Sequence, residues 1–229
     1  MGGAALGARV TTAPVPVVPG SVGVFGGTFD PIHVAHLAVA QEAAETLGLE
    51  RVLFVPAGRP PHKLDQAITE GEHRLAMVEL AVAGNERFVA DRIELDRDGP
   101  SFTVDTLEAL RSRPTPSGAA PDLTLILSSE AFRELPTWHA PHRIFELACV
   151  AVAPREGYGP GPATFMDEEL ARFKERVTHL DGPRIRLSAS ELRERASAGR
   201  SLRYLVPDAV AAYIDDHDLY RNPRRTDRP

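Results

Sequence analysis

Short apolar runs alternate with amphipathic stretches along most of this chain of 229 residues. The apolar runs are nearly continuous, which is typical of strands buried on both faces of a parallel sheet. The predicted strands are residues 22–25, 52–55, 88–95, 123–127, 150–153 and 185–187. Strands that alternate with helices need crossover connections. The pattern therefore predicts an α/β fold, a doubly wound parallel sheet with helices on both faces.

Five helical stretches lie between the apolar runs, and two more follow the last run. Gly48, Gly84 and Gly199 each follow one of these stretches directly, and glycine is common just past the end of a helix. The predicted helices are residues 36–47, 73–83, 103–113, 144–148, 167–177, 190–198 and 207–216. Because no internal repeat or shift in composition divides the chain, we expect a single domain that extends from residue 21 to residue 220.

The two ends of the chain are rich in proline, glycine or arginine and lack a helical or strand pattern. We expect a disordered leader at residues 1–20 and a disordered tail at residues 221–229. The first 20 residues lack the basic start and the uninterrupted apolar stretch of a signal peptide. No apolar run approaches the roughly 20 residues that are needed to cross a bilayer, so no membrane partner is expected.

The formal net charge of −6 argues against nucleic acid as a partner. A surface that coats nucleic acid needs a clustered excess of lysine and arginine. Cys149 is the only cysteine, which excludes a disulfide scaffold and favours a cytoplasmic location, since thiols stay reduced there. These counts leave the oligomeric state open, a homo-oligomer included.

A pair of glycines, Gly26 and Gly27, follows the first predicted strand. Doubly wound sheets bind ligands at such junctions, but neither the P-loop motif nor the dinucleotide-binding glycine motif is present. His33 and His36 come next, at a helix start, where three-residue spacing places both on one face beside a positive helix end. The pattern predicts a pocket for phosphate. Two alternatives are zinc ligation, for which no third-ligand pattern is present, and surface histidines at a turn.

Five motifs, in order along the chain, resemble the nicotinate-nucleotide adenylyltransferases, a family of nucleotidyltransferases. The first reads Gly-Gly-Thr-Phe-Asp-Pro-Ile-His-Val-Ala-His at residues 26–36. The others lie at residues 55–63, 99–107 and 135–138, and at residues 187–193 together with 203–207. The resemblance extends from about residue 22 to residue 220 and implies a Rossmann-like fold. It also implies transfer of AMP from ATP to nicotinate mononucleotide, which gives deamido-NAD and pyrophosphate in NAD biosynthesis.

The resemblance implies that His33 and His36 are catalytic, through hydrogen bonds to the reacting phosphate oxygens. Mg²⁺ is expected to arrive with ATP and to be held mainly by phosphate oxygens and water, without a metal site built by the protein. Residues 188–191 also read as a simple helix-capping box, and Lys63 also fits a solvated loop charge. The expected ATP-binding residues are Gly26, Gly27, Thr28, Phe29, Lys63, Ser188, Ser190 and Arg193.

Three residues are expected to bind the mononucleotide. The resemblance implies that Trp138, the only tryptophan, stacks on the pyridine ring, and core packing is the alternative. Thr103, at the start of a predicted helix, is the candidate for the nicotinate carboxylate, through its hydroxyl and its backbone N–H. Glu130 is the candidate for the ribose hydroxyls.

The chain departs from the family pattern at three places. Ala35 stands where the family has the glycine of H-x-G-H, and its methyl group narrows the adenosine side of the pocket. Residues 128–130, Ser-Ser-Glu, replace a Gly-x-Asp stretch, and Ser190 replaces a threonine. Two alternatives therefore stay open. One is nucleotidyl transfer to nicotinamide mononucleotide or another phosphorylated substrate, and the other is a non-catalytic nucleotide-binding regulator.

Overall fold

Six parallel strands form one sheet in the computed structural model, which describes residues 15–59, 68–113, 115, 118–154 and 170–221. The sheet order is β3-β2-β1-β4-β5-β6, and every neighbouring pair is parallel, as the doubly wound prediction requires. The order reverses between β1 and β4, so ligands are expected beyond the carboxyl ends of these two strands. The strands are β1 (Val18–Gly27), β2 (Leu49–Pro56), β3 (Phe88–Ala90), β4 (Asp122–Ser128), β5 (Ala148–Ala153) and β6 (Val177–His179).

Helices cover both faces of this sheet. One apolar core contains residues of α1, α2, α6 and α7, and a second contains residues of α3, α4 and α5. Two 3-10 helices, Leu135–Thr137 and Ala171–Arg176, are also present in the described residues. The α-helices are α1 (Val34–Thr46), α2 (Gly71–Val82), α3 (Thr103–Arg111), α4 (Ser129–Glu134), α5 (Pro141–Leu147), α6 (Ala189–Ser197) and α7 (Asp208–Asp216).

Alternate residues of the central strands pack into the two opposite cores. In β1, Val22 and Val24 belong to the core with α3, whereas Phe25 belongs to the core with α1. In β4, Leu125 belongs to the core with α3, and Ile126 belongs to the core with α1. Because both faces are apolar, these strands appear in the sequence as continuous runs rather than as alternating ones.

Two of the strand predictions were wrong in position or length. Residues 185–187 form no strand, and the sixth strand is Val177–His179, which pairs with β5. The apolar side chains of Ile185 and Leu187 line a cavity instead, so their apolar character has another cause. The strand predicted at residues 88–95 ends at Ala90, after which the chain turns.

Other boundaries also differ from the predictions. The strand β1 begins at Val18, whose N–H donates to the Gly48 carbonyl at 2.8 Å, so the end of the expected leader belongs to the sheet. Helix α4 was not predicted, because six residues are too few for a helical period to show. The predicted helix at residues 167–177 is a 3-10 helix from Ala171 to Arg176, and residues 167–169 lie outside the described residues. Residues 1–14 and 222–229 also lie outside them.

Throughout the described ranges, no helix combines the length and the apolar character that crossing a membrane requires.

Candidate active site

A cavity of about 940 Å³ lies at the carboxyl ends of β1 and β4. Its wall includes the last residues of these strands and the N-terminal turns of α1, α3 and α6. Ligand pockets commonly enclose about 300–1,000 Å³, so there is room for a ligand of nucleotide size. The cavity lies where the strand order reverses, as expected for a doubly wound sheet.

The cavity wall holds all but two of the site residues that were predicted from the sequence. Lys63 lies outside the described residues. Glu130 is in the first turn of α4 and does not line the cavity, whereas Ala131 and Glu134 of the same helix do. The predicted residues in the wall are Gly26, Gly27, Thr28, Phe29, His33, His36, Thr103, Trp138, Ser188, Ser190 and Arg193.

His33 and His36 form a stacked pair at the start of α1. His33 is the N-cap residue and is only 4 % exposed, and the two rings lie 3.6 Å apart at an angle of 17°. The His33 backbone N–H donates to Nδ1 of His36 at 3.2 Å. A nitrogen that accepts this bond carries no proton, so neutral His36 carries its proton on Nε2. The pair thus combines an imidazole N–H donor with a helix N-terminus, which favours anions.

The glycine pair keeps the end of β1 open towards the ligand. Among the residues that the structure describes, none beyond the chain neighbours of Gly26 has an atom within 4 Å of a Cβ atom added there, so the space beside this backbone is open on that side. A Cβ atom on Gly27 would lie 3.0 Å from the Phe29 ring, which packs edge-on against the ring of His36. Glycine at these positions therefore allows a close approach of a ligand and a close packing of the loop.

Buried charged groups hold the loop between β1 and α1. Asp30 is 3 % exposed, and its carboxylate accepts hydrogen bonds from the Tyr220 hydroxyl at 2.7 Å and the Thr69 N–H at 3.2 Å. Arg74 of α2 is 2 % exposed and donates to the Thr28 and Thr69 carbonyls, both at 2.8 Å. Burial lowers the pKa of Arg74, and the Asp30 carboxylate acts in the opposite direction.

Arg74 was not predicted from the sequence, although one signal could have found it. Arg74 precedes Met77 and Val78 by three and four residues, and both of these are fully buried. Residues at this spacing share one face of a helix, so an arginine there lies on the core side. Such a residue is rarely buried without polar partners, and the partners here are carbonyls beside the cavity.

The N-terminus of α6 both caps a helix and lines the cavity. The predicted capping box is confirmed, since the Glu191 N–H donates to Ser188 Oγ and the Ser188 N–H donates to Glu191 Oε2, each at 3.2 Å. Arg193 donates from Nη1 to the Asp30 carbonyl at 2.7 Å and from Nη2 to Ser190 Oγ at 3.2 Å. A guanidinium group is thus fixed at a helix N-terminus, which is a suitable arrangement for a phosphate.

The other end of the cavity is aromatic. Trp138 directly follows the 3-10 helix Leu135–Thr137, packs partly against the core and also lines the cavity, and its stacking on a pyridine ring stays a prediction. Thr103 is the first residue of α3, and Phe102 before it packs against His139 with ring centroids 4.6 Å apart. A flat apolar ligand with a polar group directed at the start of α3 fits this end of the cavity.

A buried carboxyl group that was not predicted from the sequence supports this end. Glu94 is 8 % exposed and accepts from the Thr106 hydroxyl at 2.8 Å and from the Ser101 hydroxyl. Ser101 Oγ in turn accepts from the N–H groups of Gly58 and Arg59, both at 3.1 Å. Burial raises the pKa of Glu94, while these hydroxyl hydrogen bonds act in the opposite direction. Asp91 and Arg92 in the same predicted strand are also charged, so charge alone does not single out Glu94 in the sequence.

The raised pKa of Glu94 predicts how its contribution to stability depends on pH. A carboxyl whose pKa is raised by folding stabilises the fold fully below its ordinary value of 4.5, and this stability is lost as the pH rises through the raised pKa. Glutamine cannot ionise. We therefore expect the free energy of unfolding of Glu94→Gln, relative to that of the wild type, to increase as the pH rises from about 4. The gain is at most about 1.4 kcal/mol for each pH unit of that window.

Urea denaturation at several pH values measures this difference. Glu79→Gln, at an exposed position of α2, is the matched control for the loss of one acidic group. A difference between Glu94→Gln and the wild type that stays constant with pH, or that falls as the pH rises, would contradict the prediction.

In the described ranges, which omit residues 60–67 and 155–169, no three His, Cys, Asp or Glu side chains are grouped so that they could hold a metal ion.

The class of protein follows from a comparison with known families. Residues 24–195 match the cytidylyltransferase-like family, so the sheet and its cavity are those of a nucleotidyltransferase. Over 87 % of its length the chain is 44 % identical to a probable nicotinate-nucleotide adenylyltransferase of Thermomicrobium roseum, of which it covers 91 %. It is 43 % identical to a Thermus thermophilus protein of the same name, over 87 % of this chain and 99 % of that one. The chain belongs to the nicotinate-nucleotide adenylyltransferase family.

Solved structures agree with this assignment at the level of the fold. A nicotinic acid mononucleotide adenylyltransferase of Plasmodium falciparum, complexed with APC, matches with a TM-score of 0.68. The match covers 87 % of this chain and 96 % of that one at 16 % identity. A structure of the same name complexed with NaAD also matches with a TM-score of 0.68. At this identity the structures confirm the Rossmann-like fold.

Proposed function

We propose that this chain transfers AMP from ATP to nicotinate mononucleotide, giving deamido-NAD and pyrophosphate in NAD biosynthesis. The observation that carries the proposal is the shape of one cavity with two anion-binding helix ends, those of α1 and α6, and an aromatic end at Trp138. Relatives more than 40 % identical over 87 % of the chain bear the name of this activity. The proposal places the enzyme in the cytoplasm, which the single free cysteine supports.

The chemistry needs little more than positioning and charge stabilisation. The 5′-phosphate of the mononucleotide attacks the α-phosphorus of ATP in line, the new phosphoanhydride bond forms, and pyrophosphate leaves with the electrons of the broken bond. The attacking phosphate is ionised near neutral pH, so no strong general base is required. The barrier is lowered by groups that align the reactants and stabilise the charge on the phosphoryl oxygens.

His33 and His36 are the proposed stabilising groups at the α-phosphate. The Nε2 N–H of His36 donates to an α-phosphoryl oxygen, because Nδ1 is already occupied by the His33 backbone N–H. His33 and the start of α1 add a second ring and the positive end of the helix dipole. The open space beside the Gly26 backbone leaves room for the phosphate to approach.

Arg193 and Ser190, at the N-terminus of α6, are the proposed groups for the β- and γ-phosphates. Both line the cavity, and Arg193 is held at its two terminal nitrogens. Lys63, outside the described residues, is proposed to contact the same phosphates. Phosphate-binding sites commonly combine arginine with a helix end in this way.

Mg²⁺ is proposed to enter with ATP and to be held by phosphate oxygens and water. The donors present fit that mode of binding, because Asp30, the aspartate of the cavity loop, already accepts hydrogen bonds from Tyr220 and Thr69. The ion supplies neutralisation of the charge on the phosphates.

The aromatic end is proposed to bind the mononucleotide. Trp138 stacks on the cationic pyridine ring, and Thr103 receives the carboxylate through its hydroxyl and the N–H groups at the start of α3. The sequence predicted that Glu130 contacts the ribose hydroxyls. We propose Glu134 for this contact instead, because Glu134 lines the cavity and Glu130 does not.

Replacing Trp138 by alanine tests this end of the cavity. We expect the KM for nicotinate mononucleotide to rise about tenfold, because stacking of a cation on an aromatic ring contributes roughly 1–2 kcal/mol in a desolvated site. The KM for ATP should change less than about twofold. Trp138→Phe keeps a ring and is the matched control, with an intermediate KM. An equal rise of both KM values would assign Trp138 to core packing.

Pyrophosphate release in the presence of ATP and Mg²⁺ tests the function itself. Separate reactions contain nicotinate mononucleotide or nicotinamide mononucleotide, and the expected result is faster release with the nicotinate form. Release with the nicotinamide form alone would indicate the alternative substrate. ATP binding without release in either reaction would indicate a regulator.

A further inference from the structure

The last described turn of the chain reaches back to the loop between β1 and α1. Tyr220 lies four residues beyond the end of α7, and its hydroxyl donates to Asp30 Oδ1 at 2.7 Å, across 190 residues of sequence. Tyr220 does not line the cavity. The proposed chemistry does not use Tyr220, yet its hydroxyl is hydrogen-bonded to Asp30 of the loop between β1 and α1.

Asp30 connects Tyr220 to the α6 site, which is the proposed phosphate site formed by Ser190 and Arg193. Its carboxylate accepts from Tyr220 and from the Thr69 N–H, and its main-chain carbonyl accepts from Nη1 of Arg193 at 2.7 Å. Asp30 is almost fully buried, so water cannot easily replace a lost protein partner. The position of the carbonyl that holds Arg193 therefore depends on the bonds that hold the Asp30 side chain.

Arg193 has a fixed orientation because both of its terminal nitrogens are engaged. Nη1 is bonded to the Asp30 carbonyl, and Nη2 is bonded to Ser190 Oγ. Each terminal nitrogen carries two N–H groups, so donors remain for a phosphate in the cavity. Loss of one anchor would let the planar group turn and misalign those donors.

We propose that Tyr220 is a positioning residue for Arg193: its hydroxyl fixes Asp30, and Asp30 fixes the guanidinium that receives the phosphates of ATP. This inference rests on the proposed function in taking ATP as the ligand of the α6 site. Tyr220 touches neither substrate, so its effect is confined to the binding of ATP.

The surroundings of Tyr220 keep its hydroxyl a donor. Burial and the adjacent Asp30 carboxylate raise the pKa of Tyr220, while Thr69 and Arg193 act in the opposite direction. The hydroxyl also lies 4.0 Å from the Met77 sulfur, on the apolar side of α2. A neutral phenol bonded to a carboxylate is a stable arrangement across the working pH range.

Tyr220→Phe tests the proposal, and Tyr213→Phe is its matched control. Tyr213 also carries a bonded hydroxyl, 2.9 Å from His73 Nδ1, but that bond joins α7 to α2 away from the cavity. We expect Tyr220→Phe to weaken ATP binding about fivefold to tenfold, measured as the Kd for ATP and Mg²⁺ by calorimetry without mononucleotide. The KM for the mononucleotide stays within about twofold. Tyr213→Phe behaves like the wild type in both measurements.

A second pair of variants separates positioning from a general loss of structure. In an Arg193→Ala background, Tyr220→Phe should cause no further loss of ATP affinity, because the residue through which it acts is gone. An equal loss in both backgrounds, or a Tyr220→Phe variant that matches Tyr213→Phe, would overturn the proposal. Circular dichroism establishes that the compared proteins are folded.

The outcomes distinguish this inference from the proposed function. A wild type that binds ATP but releases no pyrophosphate with either mononucleotide contradicts the proposed function, and the Kd comparison still decides the role of Tyr220. A wild type that turns over, with Tyr220→Phe equal to Tyr213→Phe, contradicts the role of Tyr220 alone. A wild type that does not bind ATP contradicts both.

Discussion

His36→Ala is expected to lower the turnover rate at least a hundredfold while the protein stays folded. The proposed Nε2 donor acts on charge that develops in the transition state, and loss of one such donor in other enzymes costs about 10²–10³ in rate. The measurement is the initial rate of pyrophosphate release at saturating ATP and nicotinate mononucleotide. His142→Ala is the matched control, because His142 does not line the cavity.

A second substitution at the same position separates catalysis from helix capping. The His36 side chain also accepts the His33 N–H, so alanine removes a cap worth about 1 kcal/mol as well as the donor. Asparagine can still accept that N–H but has no group at the Nε2 position. We expect His36→Asn to be as slow as His36→Ala but more stable than it, because asparagine keeps the acceptor for the His33 N–H although it loses the ring contacts. Near-normal turnover of His36→Asn would contradict the proposed role.

Arg193→Ala is expected to lower kcat/KM for ATP about a hundredfold. A hydrogen bond to a charged group contributes about 1.5–3 kcal/mol, and each 1.36 kcal/mol corresponds to about a factor of ten in rate. The KM for the mononucleotide should change little, because its proposed site lies at the Trp138 end of the cavity. Initial rates at varied concentrations of each substrate give the two constants.

Two further variants test why arginine is needed at this position. A lysine at position 193 keeps the charge, but one ammonium group cannot replace the two fixed nitrogens that contact Asp30 and Ser190. We expect Arg193→Lys to lower kcat/KM for ATP about tenfold. Arg195→Ala is the control, since Arg195 lies on the same helix outside the cavity and donates to the Ser201 carbonyl. Equal effects at positions 193 and 195 would contradict the assignment.

Much of the sheet could be predicted because its strands are buried on both faces. Residues 52–55 and 123–127 are nearly all apolar, and they form the centres of β2 and β4. The pattern is weaker at the sheet edge, where Thr178 and His179 of β6 are exposed. Residues 185–187 were wrongly predicted as a strand because Ile185 and Leu187 line the cavity, and apolar residues in a cavity wall resemble those of a buried strand in the sequence.

The candidate site was most predictable where its residues lie within short sequence motifs. His33 and His36 follow the glycine pair within one short motif, and Ser190 and Arg193 share one helix turn. Tyr220 was missed because its partner lies in a distant part of the chain. The 190 residues between Tyr220 and Asp30 leave no local pattern that could reveal their contact.

The fate of the α-phosphate of ATP shows whether this protein transfers AMP to nicotinate mononucleotide. The wild type is incubated with Mg²⁺, nicotinate mononucleotide and ATP labelled at the α-phosphorus, and the products are separated and identified by mass. We expect the label to appear in deamido-NAD, with one unlabelled pyrophosphate released for each dinucleotide formed. Label that stays in ATP, or that appears in free AMP without a dinucleotide, would contradict this expectation.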